Sequence, residues 1–169
     1  MAHGLAGLRV LVVDDNAHMR AIVGAILKSA GINHIREAAH GGHALVMLKD
    51  FPADVAIVDF QMAPVDGLEF TKKVRDAATS PNPYLPIIMM TGYAEQSRVV
   101  QARDAGVNEF LVKPITAQSL FSRIAEIVER PRAFVRCETY FGPDRRRRTT
   151  DNYAGPWRRH DDFQDLQVQ

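Results

Sequence analysis

Five polar residues stand where short apolar segments of the sequence end. Asp14 and Asp15 follow the first segment, Asp59 closes the third, Thr91 follows the fourth, and Lys113 closes the fifth. Three carboxylates at close range repel one another, so they need a cation to stay charged together. Mg²⁺ suits such a group because it prefers oxygen ligands and keeps several waters. With an ammonium and a hydroxyl donor beside the metal, one carboxylate could act as the nucleophile in phosphoryl transfer.

These residues can meet only if the segments before them are strands of one sheet. The segments are short and apolar, which predicts strands over residues 8–13, 34–38, 54–60, 86–90 and 109–113. The second is weak by itself, and we predict it because its neighbours require a strand there. The third is apolar at nearly every inner position, which is typical of a strand buried on both faces of a parallel sheet.

Helical patterns separate the strands. Apolar residues share one helical face in 19–27, 68–74 and 120–128, a short helix is expected after a break at Gly41 and Gly42, and 94–105 has a poor apolar face. Alternation of strand and helix five times predicts an α/β fold with a parallel sheet. For five strands the common doubly wound order is 2-1-3-4-5, with a ligand crevice at the carboxyl ends of strands 1 and 3.

The composition indicates one soluble domain with a modest extension. The 169 residues are 46% hydrophobic and 24% charged, and the net charge of +1 does not suggest a general nucleic-acid binder. The single cysteine, Cys137, cannot form an intrachain disulfide. We find no signal peptide, no apolar run that could span a bilayer, and no histidines at zinc-site spacing. We therefore expect a cytoplasmic protein with no membrane partner.

The polar residues lie within motifs that resemble those of the response regulator receiver domain, most simply the single-domain chemotaxis type. The matching segments are VVDDN at 12–16, IVDFQM at 57–62, DG at 66–67, MTG at 90–92 and FLVKP at 110–114. Each motif is weak alone, but five in order, each at the end of its strand, are specific. The resemblance covers about residues 8–129, and it implies a flavodoxin-like (βα)5 receiver domain over residues 1–130.

The resemblance implies a role for each residue of the site. Asp59 would accept a phosphoryl group from a histidine kinase or a histidine phosphotransfer protein. Mg²⁺ would be bound by Asp59, by Asp15 directly, by Asp14 through water and by the backbone carbonyl of Gln61. Lys113 would pair with the phosphoryl group. The protein would be a phosphoacceptor with intrinsic autodephosphorylation, and not otherwise an enzyme.

The resemblance also implies a switch. Thr91 would move towards the phosphoryl group and Phe110 would turn inward behind it. The peptide bond between Lys113 and Pro114 would be cis. These changes would couple the site to the face made by helix 4, strand 5 and helix 5, where a downstream protein would bind.

Three features depart from the usual pattern of the family. Ala63 follows the methionine of the Asp59 loop and Pro64 comes one residue later, so the loop is expected to bend differently. Phe110 replaces the commoner tyrosine, so a hydroxyl contact to a partner is lost. Gln61 and Tyr93 occupy the two positions that tune phosphoryl lifetime in this family. We expect Tyr93 to shield the phosphoryl group and to give a moderate to long lifetime.

Simpler roles and other functions stay open at this point. Asp14 and Asp15 could cap the first helix, and Phe110 could be only a core residue. A haloacid dehalogenase-type enzyme also uses a carboxylate nucleophile and Mg²⁺, but its Asp-x-Asp pattern after the first strand is absent. Residues 131–169 have eight arginines against six acids and no periodicity, which predicts an arginine-rich, irregular, partly disordered tail.

This tail is too short for a standard DNA-binding output domain and contains no helix-turn-helix pattern. Signalling by phosphorylation-dependent protein–protein interaction is therefore the favoured function. The alternative is a nucleic-acid-binding regulator that uses the arginine-rich tail, whose binding would be strongly salt-dependent.

Overall fold

A five-stranded parallel sheet forms the centre of the protein, which a computed structural model describes over residues 5–92, 96–146 and 164–166. The strands are β1 (Arg9–Val13), β2 (His34–Ala38), β3 (Val55–Asp59), β4 (Ile87–Thr91) and β5 (Glu109–Val112). Their order is β2-β1-β3-β4-β5, with parallel pairing throughout. The predicted doubly wound fold is confirmed, including the weak second strand.

Five helices connect and cover these strands: α1 (Ala17–Ser29), α2 (Gly41–Met47), α3 (Gly67–Arg75), α4 (Gln96–Ala105) and α5 (Ala117–Glu129). The glycines that suggested a break before α2 lie inside it. The helix begins there because the His40 side chain accepts a hydrogen bond from the His43 N–H at 3.2 Å, which caps the first turn. In the described part of the chain, no helix is long and apolar enough to cross a membrane.

The core lies on both faces of the sheet. Side chains of α1 and α5 pack on one face against alternate residues of the strands, among them Val12, Ile57 and Met90. Residues of α2, α3 and α4 pack on the other face, against Val58 and Met89 among others. β3 and β4 are buried along their whole length, and their polar residues, Asp59 and Thr91, are the last residues of the two strands.

The close approach of α3 to the end of β3 fixes the segment that follows Asp59. A Cβ at Gly67 would collide with the Asp59 carbonyl oxygen and would lie 2.8 Å from the Met89 sulfur. The Gly67 N–H donates to the Phe60 carbonyl at 3.1 Å, and the Asp66 side chain caps α3. A residue without a side chain is therefore required where α3 begins.

Part of the C-terminal segment is regular, which differs from the prediction of an irregular tail. β6 (Phe134–Cys137) and β7 (Tyr140–Pro143) form an antiparallel hairpin, and β8 (Gln164–Leu166) pairs with the other edge of β6. In the hairpin, Phe134, Val135 and Tyr140 are buried, which stabilises the strands. The hairpin could not be predicted from its turn, because residues 138–139 are Glu-Thr and not the Asn-Gly or Asp-Gly typical of two-residue hairpins. The domain boundary at residue 130 stays a prediction.

A buried arginine lies beneath the hairpin, at the end of the sheet opposite Asp59. Arg75 ends α3, and its Nε and Nη2 atoms donate to the Gly106 carbonyl at 3.0 and 2.8 Å. Its Nη1 atom donates to the carbonyls of Pro83 and Leu85, both at 2.8 Å, and Nη2 also reaches Asn108 Oδ1 at 3.0 Å. One guanidinium therefore joins α3 to the loops before β4 and β5.

The hairpin packs on this arginine through an aromatic ring and on the nearby turn through a glycine. The Arg75 guanidinium carbon lies 5.0 Å from the centre of the Phe134 ring, which also packs edge-on against Tyr84 at 5.1 Å. Gly142 lies against Gly106, whose φ of +104° favours glycine; a Cβ at Gly142 would lie 2.9 Å from the Gly106 Cα atom. The hairpin is therefore in close backbone contact with the turn between α4 and β5.

Three arginines of the C-terminal segment make contacts inside the protein. Arg132 donates to the buried Glu109 carboxylate at 2.6 Å, and Arg145 pairs with Asp104 of α4 at 3.3 Å. Arg136 lies over an aromatic ring of β7 at 4.4 Å. These contacts give the arginines a structural role, which weakens the argument for a nucleic-acid-binding tail.

Candidate functional site

Three aspartates meet at the carboxyl edge of the sheet, where the sequence predicted them. Asp14 and Asp15 follow β1, and Asp59 is the last residue of the adjacent strand β3. One carboxylate oxygen of each lies within 4.8 Å of the others. Asp14 is 1% exposed and Asp59 is 7% exposed, while Asp15 is open to solvent.

Lys113 brings a positive charge into this cluster. It directly follows β5, and its N–H donates to the Thr91 carbonyl at 2.8 Å, which fixes it beside the end of β4. Its Nζ atom lies 2.9 Å from Asp59 Oδ1 and 3.7 Å from Asp14 Oδ2. The peptide bond between Lys113 and Pro114 is cis.

The charges of the site shift the pKa values of both partners. Burial raises the pKa of Asp59, the hydrogen bond from Lys113 opposes that rise, and the charges of Asp14 and Asp15 add to it. Burial by itself would lower the pKa of Lys113, but its hydrogen bond to Asp59 and the nearby carboxylates outweigh this, so its pKa is raised. Lys113 is therefore charged, while the carboxylate cluster is short of positive charge.

Two buried oxygens of the site have no hydrogen-bond partner within the described residues: Asp14 Oδ2 and Thr91 Oγ1. Such atoms are costly to bury unless a ligand or water completes them. The donor set of carboxylate oxygens with one oxygen unmatched fits a hard divalent cation such as Mg²⁺. The Thr91 hydroxyl, 3% exposed at the end of β4, is available to donate to a further oxygen ligand.

These residues line an open cleft of about 440 Å³. Its floor is the aspartate cluster with Thr91 and Lys113, and its rim includes Phe60, Gln61 and Arg98. Gln61 is exposed in the loop after β3. The cleft therefore brings together the five strand-end residues and Gln61, which the sequence predicted to share a site.

Comparison with known proteins identifies the family. Residues 10–125 match the family model of the response regulator receiver domain. The chain belongs to the response regulator receiver family. It is 37% identical over 123 residues to the chemotaxis protein CheY-3 of Vibrio cholerae, covering 73% of this chain and 93% of that protein. It is 36% identical to the chemotaxis protein CheY of Pseudomonas aeruginosa, covering 73% of this chain and 98% of that protein.

Solved receiver structures have the same fold. Chemotaxis protein CheY4 of Vibrio cholerae superposes with a TM-score of 0.66 at 30% identity, covering 72% of this chain and 98% of that one. The receiver domain of Ssk1 from Saccharomyces cerevisiae, crystallised with the histidine phosphotransfer protein Ypd1, gives a TM-score of 0.64 at 27% identity, covering 70% of this chain and 87% of that one. The hairpin lies beyond residues 10–125, which match the receiver family.

Of the two residues expected to form the switch, Thr91 lines the cleft and Phe110 is not among its lining residues. Phe110 is half-buried and packs against the core on the α2, α3 and α4 side of the sheet. It is paired with Met89, two residues before Thr91. Tyr93, which we expect to shield the phosphoryl group, lies outside the described residues. The bond between Ala63 and Pro64, in the loop after Asp59, is also cis.

Arg98 lines the cleft although no pattern in the sequence selected it. It comes from α4, whose apolar pattern is poor, and from there it reaches the loop after β3. No motif of the receiver family pointed to it. Only the packing of α4 beside β4 brings this arginine to the rim.

Proposed function

We propose that this receiver is a response regulator that accepts a phosphoryl group on Asp59 and signals by binding another protein. The observation that carries the proposal is the Lys113 ammonium 2.9 Å from Asp59 Oδ1, with Asp14 and Asp15 grouped around the same point. An aspartate that serves only to cap a helix would not need a half-buried lysine and two further carboxylates beside it.

The chemistry follows from the positions of these side chains. An Asp59 carboxylate oxygen attacks the phosphorus of a phosphohistidine, the P–N bond breaks, and the imidazole leaves and regains a proton. Lys113 holds one phosphoryl oxygen and the Thr91 hydroxyl donates to another, so both neutralise charge without forming covalent bonds. Mg²⁺, held by Asp59, Asp15, Asp14 and the Gln61 backbone carbonyl, would supply the remaining positive charge.

The burial of Asp59 explains why several cations are needed. Its raised pKa reflects the cost of a charge in this cleft, and a nucleophilic carboxylate must be ionised. Lys113 offsets part of that cost. The acyl phosphate formed is expected to hydrolyse by itself, since water reaches the cleft from its open side.

The partners we propose are a histidine kinase or histidine phosphotransfer protein upstream and another protein downstream. The solved complex of Ypd1 with the Ssk1 receiver supports the upstream partner by analogy. For the downstream partner, α4, β5 and α5 each carry one exposed large apolar residue: Val100, Val112 and Val128. Among the described residues, the fourth exposed large apolar side chain, Val46, lies apart on α2. Three exposed apolar side chains on adjoining elements favour protein binding there.

The decisive experiment is incubation with acetyl phosphate and Mg²⁺, followed by intact mass measurement. We expect a single phosphoryl adduct on the wild-type protein and none on Asp59→Asn. Asp50→Asn, which changes an exposed aspartate outside the cleft, is the matched control and should retain the adduct. An adduct on Asp59→Asn, or none on the wild type, would contradict the proposal.

A further inference from the structure

Arg98 joins α4 to the loop that carries Asp59. Its guanidinium carbon lies 5.4 Å from the centre of the Phe60 ring, within the range of a cation–π contact. With the Gln61 amide turned so that its oxygen faces the guanidinium, this oxygen accepts from Arg98 Nη1 at 2.7 Å and from Nη2 at 3.0 Å. Both terminal nitrogens of the arginine therefore point to one residue at the rim of the cleft.

Gln61 is a weaker partner for a guanidinium than an anion would be. Gln61 offers a neutral amide oxygen, whereas the planar guanidinium fork is matched to carboxylate or phosphoryl oxygens. A phosphoryl group on Asp59 would bring a charge of about −1.5 to −2 into the same cleft. The cleft is lined by Arg98, Gln61 and Asp59 alike, so the new anion and the arginine share one space.

Water must enter the cleft to remove the phosphoryl group. In hydrolysis, a water oxygen attacks phosphorus on the side opposite Asp59, the bond from phosphorus to the Asp59 oxygen breaks, and the water proton passes to the phosphate released. Lys113 is already in contact with Asp59. Phe60, Gln61 and Arg98 line part of the open cleft through which water approaches.

We propose that Arg98 is a positioning residue that exchanges Gln61 for the phosphoryl oxygens and thereby slows hydrolysis of the acyl phosphate. The inference rests on the proposed phosphorylation of Asp59. In the unphosphorylated protein Arg98 holds the Gln61 side chain. After phosphorylation its guanidinium binds the phosphoryl group across the rim, which restricts water and ties α4 to the phosphorylated loop.

The first test compares the decay of the Asp59 adduct in the wild type, Arg98→Gln and Arg98→Lys. Each full-length protein is loaded with acetyl phosphate, freed of the donor and followed by intact mass. We expect the adduct to decay about tenfold faster in Arg98→Gln, the effect of losing one charge-assisted hydrogen bond. Arg98→Lys should recover part of the wild-type lifetime because it keeps the charge but lacks the fork, and it also serves if Arg98→Gln does not fold.

Arg103→Gln is the matched control, because it removes an exposed arginine of the same helix that pairs with its neighbour Asp104. It should leave the decay rate unchanged. A second readout is the affinity for beryllofluoride, a mimic of the phosphoryl group. Arg98→Gln should weaken the affinity for beryllofluoride about tenfold and change the affinity for Mg²⁺ by less than twofold. A general destabilisation of α4 would not produce this difference between the two affinities.

The outcomes separate this inference from the function on which it rests. If the wild type carries no adduct, the proposed phosphorylation fails. If the wild type is phosphorylated and its adduct decays at the same rate as that of Arg98→Gln, the role of Arg98 is overturned. Equal acceleration in Arg103→Gln would overturn it as well.

Discussion

The two ends of the sheet treat buried charge in opposite ways. At the amino end, Arg75 is 6% exposed and makes five hydrogen bonds to carbonyl and amide oxygens. At the carboxyl end, Lys113 pairs with two of three clustered carboxylates, and two buried oxygens have no hydrogen-bond partner among the described residues. The Arg75 charge has its hydrogen-bond partners within the protein, whereas the carboxylate cluster requires an added cation.

This difference separates a structural site from a functional one. Burial lowers the pKa of Arg75 to about 9, yet the guanidinium remains charged at neutral pH and its donors are met. Asp59 has its pKa raised, so its charged form is destabilised in the folded protein until cations arrive. Binding sites commonly sacrifice stability in this way.

The largest effect on stability should come from removing Arg75, the buried charge at the amino end of the sheet. Replacing Arg75 with alanine leaves three backbone carbonyl oxygens without their donor, removes one of the two donors to Asn108 Oδ1, and removes a surface on which Phe134 packs. We expect the free energy of unfolding to fall by about 3–5 kcal/mol, as for other buried charged groups removed from their partners. Urea unfolding of the full-length protein measures it.

The control for Arg75 is Lys73→Ala, which removes a half-exposed lysine of the same helix that pairs with Glu69. This exposed pair should contribute less than about 0.5 kcal/mol. A loss of under about 1 kcal/mol in Arg75→Ala would mean that the hairpin end does not depend on its buried charge, and the contrast between the two ends would disappear.

A smaller effect on stability, of opposite sign, is expected from changing Asp59 at the carboxyl end of the sheet. Without Mg²⁺, Asp59→Asn should raise the free energy of unfolding by about 1–2 kcal/mol, because it relieves a charge in a strained site. The pKa of Asp59 is raised in the folded protein. At pH values between the ordinary and the raised pKa, the folded protein therefore binds more protons than the unfolded chain. Stability should therefore fall as pH rises through that interval.

The pH dependence also supplies the check. Urea unfolding from pH 4 upward should show this fall in the wild type and a flatter profile in Asp59→Asn. A variant that is less stable than the wild type at neutral pH would indicate that Asp59 is held by attractive contacts and not by an unbalanced cluster.

The third prediction adds the missing cation. Mg²⁺ at ten times its dissociation constant should stabilise the wild type by about 1.4 kcal/mol, because it binds only the folded state. Asp15→Asn should reduce this increment by weakening binding. Lys73→Ala, which is outside the cleft, should keep it. Thermal unfolding with and without Mg²⁺ tests this, and an unchanged increment in Asp15→Asn would remove Asp15 from the metal site.

Much of the fold and of the site follows from local patterns in the sequence. Asp59 closes a strand whose other residues are buried, so its place at the sheet edge follows from apolar patterning together with the rule for parallel sheets. The same reasoning correctly grouped Asp14, Thr91 and Lys113. Each is fixed by a strand that ends where its apolar segment ends.

The features missed depend on contacts between distant segments. An arginine such as Arg75 at the end of an amphipathic helix is usually expected to be exposed. It is buried because Phe134 and Gly106, far along the chain, pack on it. Arg98 lies in a helix with little apolar periodicity, so its direction could not be read from the sequence. The hairpin lacks a glycine or asparagine turn, and its strands are stabilised by the surface beneath them.

The position of Cys137 has a practical consequence for following this receiver in solution. It is the single cysteine of the chain, half-exposed at the end of β6. A thiol-reactive dye would therefore label one known place without any engineered mutation. Because β6 pairs with β7, and β7 rests on the turn between α4 and β5, the emission of that dye would report on α4 from the end of the molecule farthest from the chemistry.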